Sequence, residues 1–146
     1  MKIVCVSGGF DPIHVGHIRM IQEAAKYGQV AVILNNDNWL ITKKGYVFMP
    51  ELEREEILMS IKGVYEVLRT FHVSNPSDMS VATELRVIRP DIFCNGGDRN
   101  LGNIPTAEER VCKELGIEML YNVGGGKIQS SSKLVKDSRI VLEAKE

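Results

Sequence analysis

The sequence predicts an α/β fold: a single Rossmann-like domain with a parallel sheet of about five strands and helices on both faces. Three observations carry that expectation. Short apolar runs alternate with amphipathic stretches along the whole chain, the turns between them are short and rich in glycine, and no repeat, linker or low-complexity segment interrupts the order. Strict alternation of strand and helix implies parallel strands joined by helical crossovers that cover both faces of the sheet. A ligand then belongs outside the carboxyl ends of the strands.

Each element follows from local chemistry. Lys2 to Val6 reads as a buried strand, followed by the turn Ser7-Gly8-Gly9. His14 to Tyr27 carries Ile18, Ile21, Ala24 and Ala25 at helical spacing and stops at Gly28. Gln29 to Leu34 is a second strand, and Asn35 to Met49 reads as polar and irregular. Pro50, well placed in a first turn, opens a helix through Ile61, and Val64 to Thr70 is a short strand. Asp78 to Ile88 is a helix ended by Arg89-Pro90, and Asp91 to Asn95 is a buried strand leading into Gly96-Gly97. Thr106 to Leu115 is a helix closed by Gly116, Ile117 to Tyr121 the last strand, and Ser130 to about Leu142 the last helix.

Composition bounds the function. At 146 residues the chain matches one domain, 1–146, within the usual range of about 100–200 residues. Eighteen Lys and Arg balance 19 Asp and Glu, which lacks the basic footprint of a general nucleic-acid binder. No apolar run approaches the roughly 20 residues of a membrane span, and Met1 to Val6 reads as a strand, not a signal peptide. Cys5, Cys94 and Cys112 are widely spaced and form no Cys-x-x-Cys pair, so they are expected as reduced core residues in a cytoplasmic protein.

Polar residues out of place in such a pattern fall after strands. The first group runs Gly8-Gly9-Phe10-Asp11-Pro12-Ile13-His14-Val15-Gly16-His17. Its glycines permit close approach of a phosphate to the backbone, and its histidines share one face at a helix start, where the dipole favours an anion. Three readings are open: two structural histidines, a zinc site of His14, His17 and Asp11 lacking a fourth ligand, or a polyphosphate site with imidazole donors. The second group is Gly124-Gly125-Gly126-Lys127-Ile128-Gln129-Ser130-Ser131-Ser132-Lys133, between a strand and a helix. It resembles an anion cradle, or else a flexible loop with a serine cap, and it fails the P-loop pattern because Ile128 follows Lys127. Asp98, after Gly96-Gly97, could hold a sugar hydroxyl or a base amino group, or simply serve a turn. Arg54, in the charged stretch from Pro50 to Glu56, belongs to a solvated face or points at a phosphate.

Taken together, these residues resemble the small nucleotidyltransferases of the cytidylyltransferase-like superfamily. Gly9-Phe10-Asp11 followed by His14-Val15-Gly16-His17 matches the family signature Gly-x-Phe-Asp-x-x-His-x-Gly-His in full. Lys43-Lys44 and Arg54 fall where glycerol-3-phosphate cytidylyltransferases have a lysine pair and an arginine. The run from Arg89 to Asp98 looks like the adenylyltransferase domain of bacterial ADP-heptose synthesis. Ser130-Ser131-Ser132-Lys133-Leu134 fits the looser C-terminal signature, with Val135 at its usual basic position and Lys127 standing in for an absent arginine.

The resemblance implies attack by a phosphate monoester on the α-phosphorus of a nucleoside triphosphate, with release of pyrophosphate. A monoester with a second pKa near 6 is largely deprotonated at neutral pH, so no general base is required. Under this reading His14, His17, Lys44 and Lys127 are catalytic. Gly8, Gly9, Phe10, Asp11, Gly16, Asp98, Ser130, Ser131 and Ser132 bind nucleotide, and Lys43 and Arg54 bind the acceptor. No protein metal ligands are expected; Mg²⁺ bridges phosphate oxygens. The expected partners are a nucleoside triphosphate, a small phosphorylated acceptor and a second copy of the chain, with no nucleic acid or membrane. An adenylyltransferase of the heptose 1-phosphate type is favoured. The alternatives are a cytidylyltransferase acting on glycerol 3-phosphate or a similar alcohol, a non-catalytic nucleotide-binding regulator and a metal-dependent hydrolase.

Overall fold

A computed structural model describes residues 1–97 and 104–145. In chain order the elements are β1 (Ile3–Gly8), α1 (Val15–Ala24), β2 (Gln29–Leu34), α2 (Asp37–Lys44), α3 (Glu51–Met59) and β3 (Val64–Arg69). There follow α4 (Ala82–Ile88), β4 (Ile92–Cys94), α5 (Thr106–Leu115), β5 (Glu118–Leu120) and α6 (Ser131–Lys145). The strands form one parallel sheet in the order β3-β2-β1-β4-β5. The α/β expectation, with about five parallel strands, holds.

Side-chain alternation divides the core in two. Val4, Val6, Val30, Val32, Leu34, Ile92 and Cys94 face the side covered by Ile21 and Ala24 of α1 and Leu58 of α3. Cys5, Ala31, Ile33 and Phe93 face the opposite side, under Leu85 of α4 and Val111 and Cys112 of α5. Such strands are buried on both faces, hence the near-continuous β-branched runs in the sequence. In-register pairing of Val4 with Val30 and Val6 with Val32 keeps each set on its own face. All three cysteines are buried and free, and burial raises the Cys94 thiol to about 12.

The segment from Asn35 to Met49, expected to be irregular, contains α2. The Asn36 side chain caps it by accepting from Trp39 N–H, and left-handed Gly45 (φ 83°) ends it. Only Leu40 of α2 is buried, so the apolar periodicity that betrays a helix is weak there. Caps at both ends and the terminal Lys43-Lys44 pair were the available signal. Elsewhere the differences are at element ends, the largest being α4, which begins at Ala82 and not Asp78.

Strand order reverses between β1 and β4, and the connections that leave their carboxyl ends run in opposite directions, from β1 towards β2 and from β4 towards β5. The crevice opened there is the expected place for a ligand.

Candidate active site

The turn leaving β1 is tightly held. Phe10 adopts a left-handed backbone (φ 50°) and is buried. Asp11 is also buried, and its two carboxylate oxygens accept from the Phe48 and Met49 N–H groups, each at 2.6 Å. Arg54 of α3 is 1% exposed. Its Nε donates to Met49 O (2.8 Å), Nη1 to Gly9 O (2.8 Å) and Asn35 O (2.7 Å), and Nη2 to Asp37 Oδ1 (2.6 Å). The expected roles of Asp11 on nucleotide and Arg54 on the acceptor are therefore revised. Both groups spend their hydrogen bonds on backbone and on Asp37, and they clamp the loops at the carboxyl ends of β1 and β2.

His14 is the N-cap of α1. Its Nδ1 accepts from Gly16 N–H at 3.1 Å, and His17 Nδ1 accepts from His14 N–H at 3.1 Å. The rings stack with centroids 3.7 Å apart and 22° between planes, and the Phe10 ring lies 4.8 Å from His17. An Nδ1 that accepts must leave the proton on Nε2, so each imidazole offers an Nε2–H donor. Gly16 makes this possible, because a Cβ there would lie 2.9 Å from His14 Cε1. Burial, followed by His14, Lys44 and Lys127, lowers His17 to about 3. Burial, then Lys127 and Lys44, also lowers His14. Both rings are neutral at physiological pH. Burial lowers Lys44 too, with Asp11 opposing and Arg54 and Lys127 adding to the shift.

The histidines border a cavity of about 380 Å³. Lys43 and Lys44, at the end of α2, are part of its lining. Gly124 to Lys127, Ser130 to Ser132, Gly96 and Gly97 also line it. Gly97 lets the two glycine loops meet, since a Cβ there would stand 2.4 Å from the Gly125 carbonyl oxygen. Ser131 Oγ donates to Pro12 O at 2.7 Å, bringing the start of α6 against the histidine turn, and Ser130 Oγ accepts from Lys133 N–H at 3.3 Å. Unpaired N–H groups in the first turn of a helix make such an end an anion site.

The two glycine-bearing groups singled out in the sequence, over a hundred residues apart, thus share one cavity. Gly8, Gly9 and Phe10 line an adjoining compartment, which also includes His17, Lys44 and Ser131. Asp98 lies outside the described residues. Asn35 and Trp39 of that compartment, and Lys136 and Arg139 beside Lys43 and Lys44 in a third cleft, were not anticipated. Among the described residues no group of three or more His, Cys, Asp or Glu side chains could hold a metal ion. The zinc arrangement also fails on its chemistry, because Asp11 is committed to two backbone donors and each accepting Nδ1 leaves its Nε2 protonated, without a lone pair for a metal. No helix among the described residues is long and apolar enough to cross a membrane.

Sheet order, switch-point cavity, neutral donor pair and cationic rim define a Rossmann-like domain suited to a polyphosphate. The chain belongs to the cytidylyltransferase-like family of nucleotidyltransferases, whose model matches residues 5–121. It is 32% identical over 122 residues to an FAD synthase of Thermococcus sibiricus, covering 82% of this chain and 79% of that protein. It is 33% identical over 111 residues to the bifunctional protein HldE of Koribacter versatilis, covering 74% of this chain. The chain spans only 22% of that HldE and 27% of the one from Desulfatibacillum aliphaticivorans. A lipopolysaccharide core biosynthesis protein from Thermoplasma volcanium superposes with a TM-score of 0.63 at 25% identity, over 83% of this chain and 93% of that one. Pantothenate synthetase of Thermus thermophilus (TM-score 0.56, 14% identity, 83% of this chain and 54% of that one) shares the fold.

Proposed function

We propose that the chain transfers a nucleotidyl group from a nucleoside triphosphate to a small phosphorylated acceptor. The observation that carries this reading is the stacked histidine pair: both Nδ1 atoms are occupied by backbone donors, leaving two neutral Nε2–H donors at the cavity. An oxygen of the acceptor phosphate, already deprotonated, forms a bond to the α-phosphorus. The bond from that phosphorus to the oxygen bridging α and β breaks, and pyrophosphate leaves with its electron pair. His14 and His17 donate to the α-phosphoryl oxygens, on which charge develops. Lys127 and the α6 start with Ser130, Ser131 and Ser132 hold the leaving phosphates, while Lys43 and Lys44 offset repulsion between acceptor and triphosphate. Mg²⁺ bound with the triphosphate would supply charge neutralisation there, with no cluster of acidic, His or Cys side chains among the described residues to hold it independently.

ATP with a sugar 1-phosphate of the heptose type is the favoured pair, supported by the similarity to several HldE proteins. CTP with glycerol 3-phosphate is the alternative. The reading includes a homodimer, checked by sedimentation velocity. Mixing four nucleoside triphosphates with a panel of phosphorylated acceptors tests the reaction. Pyrophosphate is expected only when Mg²⁺, triphosphate and acceptor are all present; inorganic phosphate from triphosphate alone would indicate a hydrolase and overturn the reading.

A further inference from the structure

The segment that carries Lys127 is pinned at both ends to the histidine turn and its helix. At the far end Ser131 Oγ donates to Pro12 O, two residues before His14. At the near end the Gly124 N–H donates to the carboxylate of Glu23, 101 positions earlier in the chain. Gly124 lies directly on α1. Its backbone is left-handed (φ 88°), and a Cβ there would stand 2.8 Å from Met20 Cα and 2.9 Å from Met20 N. The preceding Val123 N–H donates to Asn95 O at 3.0 Å, which ties the same loop to the turn after β4. His17, Met20 and Glu23 follow at three-residue spacing in α1 and so lie along one side of the helix. His17 and Met20 line the cavity, whereas Glu23 is half-buried and does not line it.

We infer that Glu23 is a positioning residue: its carboxylate latches Gly124 to α1 and so fixes the glycine loop, Lys127 and the start of α6 relative to the histidine pair. The inference rests on the proposed function for the polyphosphate nature of the ligand. An N–H bonded to an ionised carboxylate makes a charge-assisted hydrogen bond, roughly twice as strong as a neutral one. It is strong enough to hold a glycine-rich turn that has no side chains of its own to pack. The helix then serves as a rigid ruler. His17 and Glu23 are six positions apart, about 9 Å along an axis that rises 1.5 Å per residue. One element thereby sets both the donors to the α-phosphoryl oxygens and the cradle for the leaving phosphates. Charge argues in the opposite direction, because a carboxylate under a polyanion-binding loop repels the ligand. What Glu23 contributes to binding is therefore geometry, and the two effects differ in sign.

That difference in sign is the test. Binding of ATP and of inorganic triphosphate, both with Mg²⁺, is measured by equilibrium dialysis on the wild type, Glu23→Ala, Glu23→Gln and Glu23→Asp, beside their urea midpoints. Inorganic triphosphate has no base or sugar, so it reports the phosphate contacts alone. Glu23→Gln loses the charge but keeps an accepting oxygen at the same reach, and should bind both ligands as tightly as the wild type. Glu23→Asp keeps the charge but falls one methylene short of Gly124. It and Glu23→Ala should weaken both ligands on the order of tenfold. The Gln and Asp variants carry the comparison if the alanine variant does not fold. Tighter binding in Glu23→Ala and Glu23→Gln, with Glu23→Asp like the wild type, would make Glu23 a mere nearby charge and overturn the assignment. Lowered urea midpoints with triphosphate binding unchanged in all three variants would overturn it too, leaving a purely structural contact. Weakening in Glu23→Asp that Glu23→Gln avoids, with no pyrophosphate formed by the wild type on any acceptor, would instead count against nucleotidyl transfer and leave the latch standing.

Discussion

A backbone N–H on each Nδ1 decides what His14 and His17 can do, because it leaves the Nε2 proton for the ligand. A donor that strengthens as charge develops lowers the barrier more than it tightens ground-state binding. His17→Ala is expected to lose about 10²–10³ in kcat with a smaller change in triphosphate KM, as read from steady-state kinetics. His17→Asn should retain part of the activity. Protonation of His17 would turn its Nδ1 from acceptor to donor, and the fold resists this by lowering the value from 6.5 to about 3. A base whose folded value is depressed binds fewer protons folded than unfolded, so its contribution is full above 6.5 and lost as pH falls towards 3. Urea midpoints across that window should therefore decline less steeply in His17→Asn. Arg54 belongs to stability instead. Arg54→Ala strands the Met49, Gly9 and Asn35 carbonyls and Asp37, and should cost about 3–5 kcal/mol in urea unfolding. A variant of unchanged stability with a raised acceptor KM would return Arg54 to substrate binding.

Element ends supply most of the site: the starts of α1 and α6, the end of α2, and the turns after β1, β4 and β5. Short helices need cover only a small part of the sheet while aiming a terminus at the crevice, and their caps set that aim. Two glycines make the approach close enough. Gly16→Ala should push the His14 ring from its Nδ1 bond and reduce kcat with little loss of stability. Gly97→Ala meets a backbone carbonyl, which cannot swing aside like a side chain, so it should separate the two glycine loops and raise triphosphate KM. Equal KM values for wild type and Gly97→Ala would show that the loops tolerate separation.

Across the whole molecule, the cavity joins segments from the first turn to the last helix, so a ligand filling it links the two halves of the chain. A ligand that binds only the folded state stabilises it by about 2.7 kcal/mol at a hundred times its Kd. Saturating Mg-triphosphate should accordingly raise the Tm of the wild type. Lys127→Ala should show a smaller ligand-induced rise at equal ligand concentration, each variant measured from its own ligand-free Tm, because a cation lining the cavity is gone. A full rise in Lys127→Ala would make the loop a spacer.

Much of this was legible from the residues alone. Period and turn chemistry predict the parallel α/β sheet, because strands buried on both faces must be apolar throughout and crossovers must be amphipathic. The signature from Gly9 to His17 is contiguous, so its chemistry survives without knowledge of the fold. What lies between Asn35 and Met49 was not legible, since α2 buries one leucine and shows no period. The fates of Asp11 and Arg54 were decided only in three dimensions. A charge reads the same in sequence whether it faces a phosphate or a ring of carbonyls, and only burial and partners tell the two apart. For the same reason Asn35 and Trp39 looked like loop residues until the carboxyl ends of β1 and β2 put them beside His17.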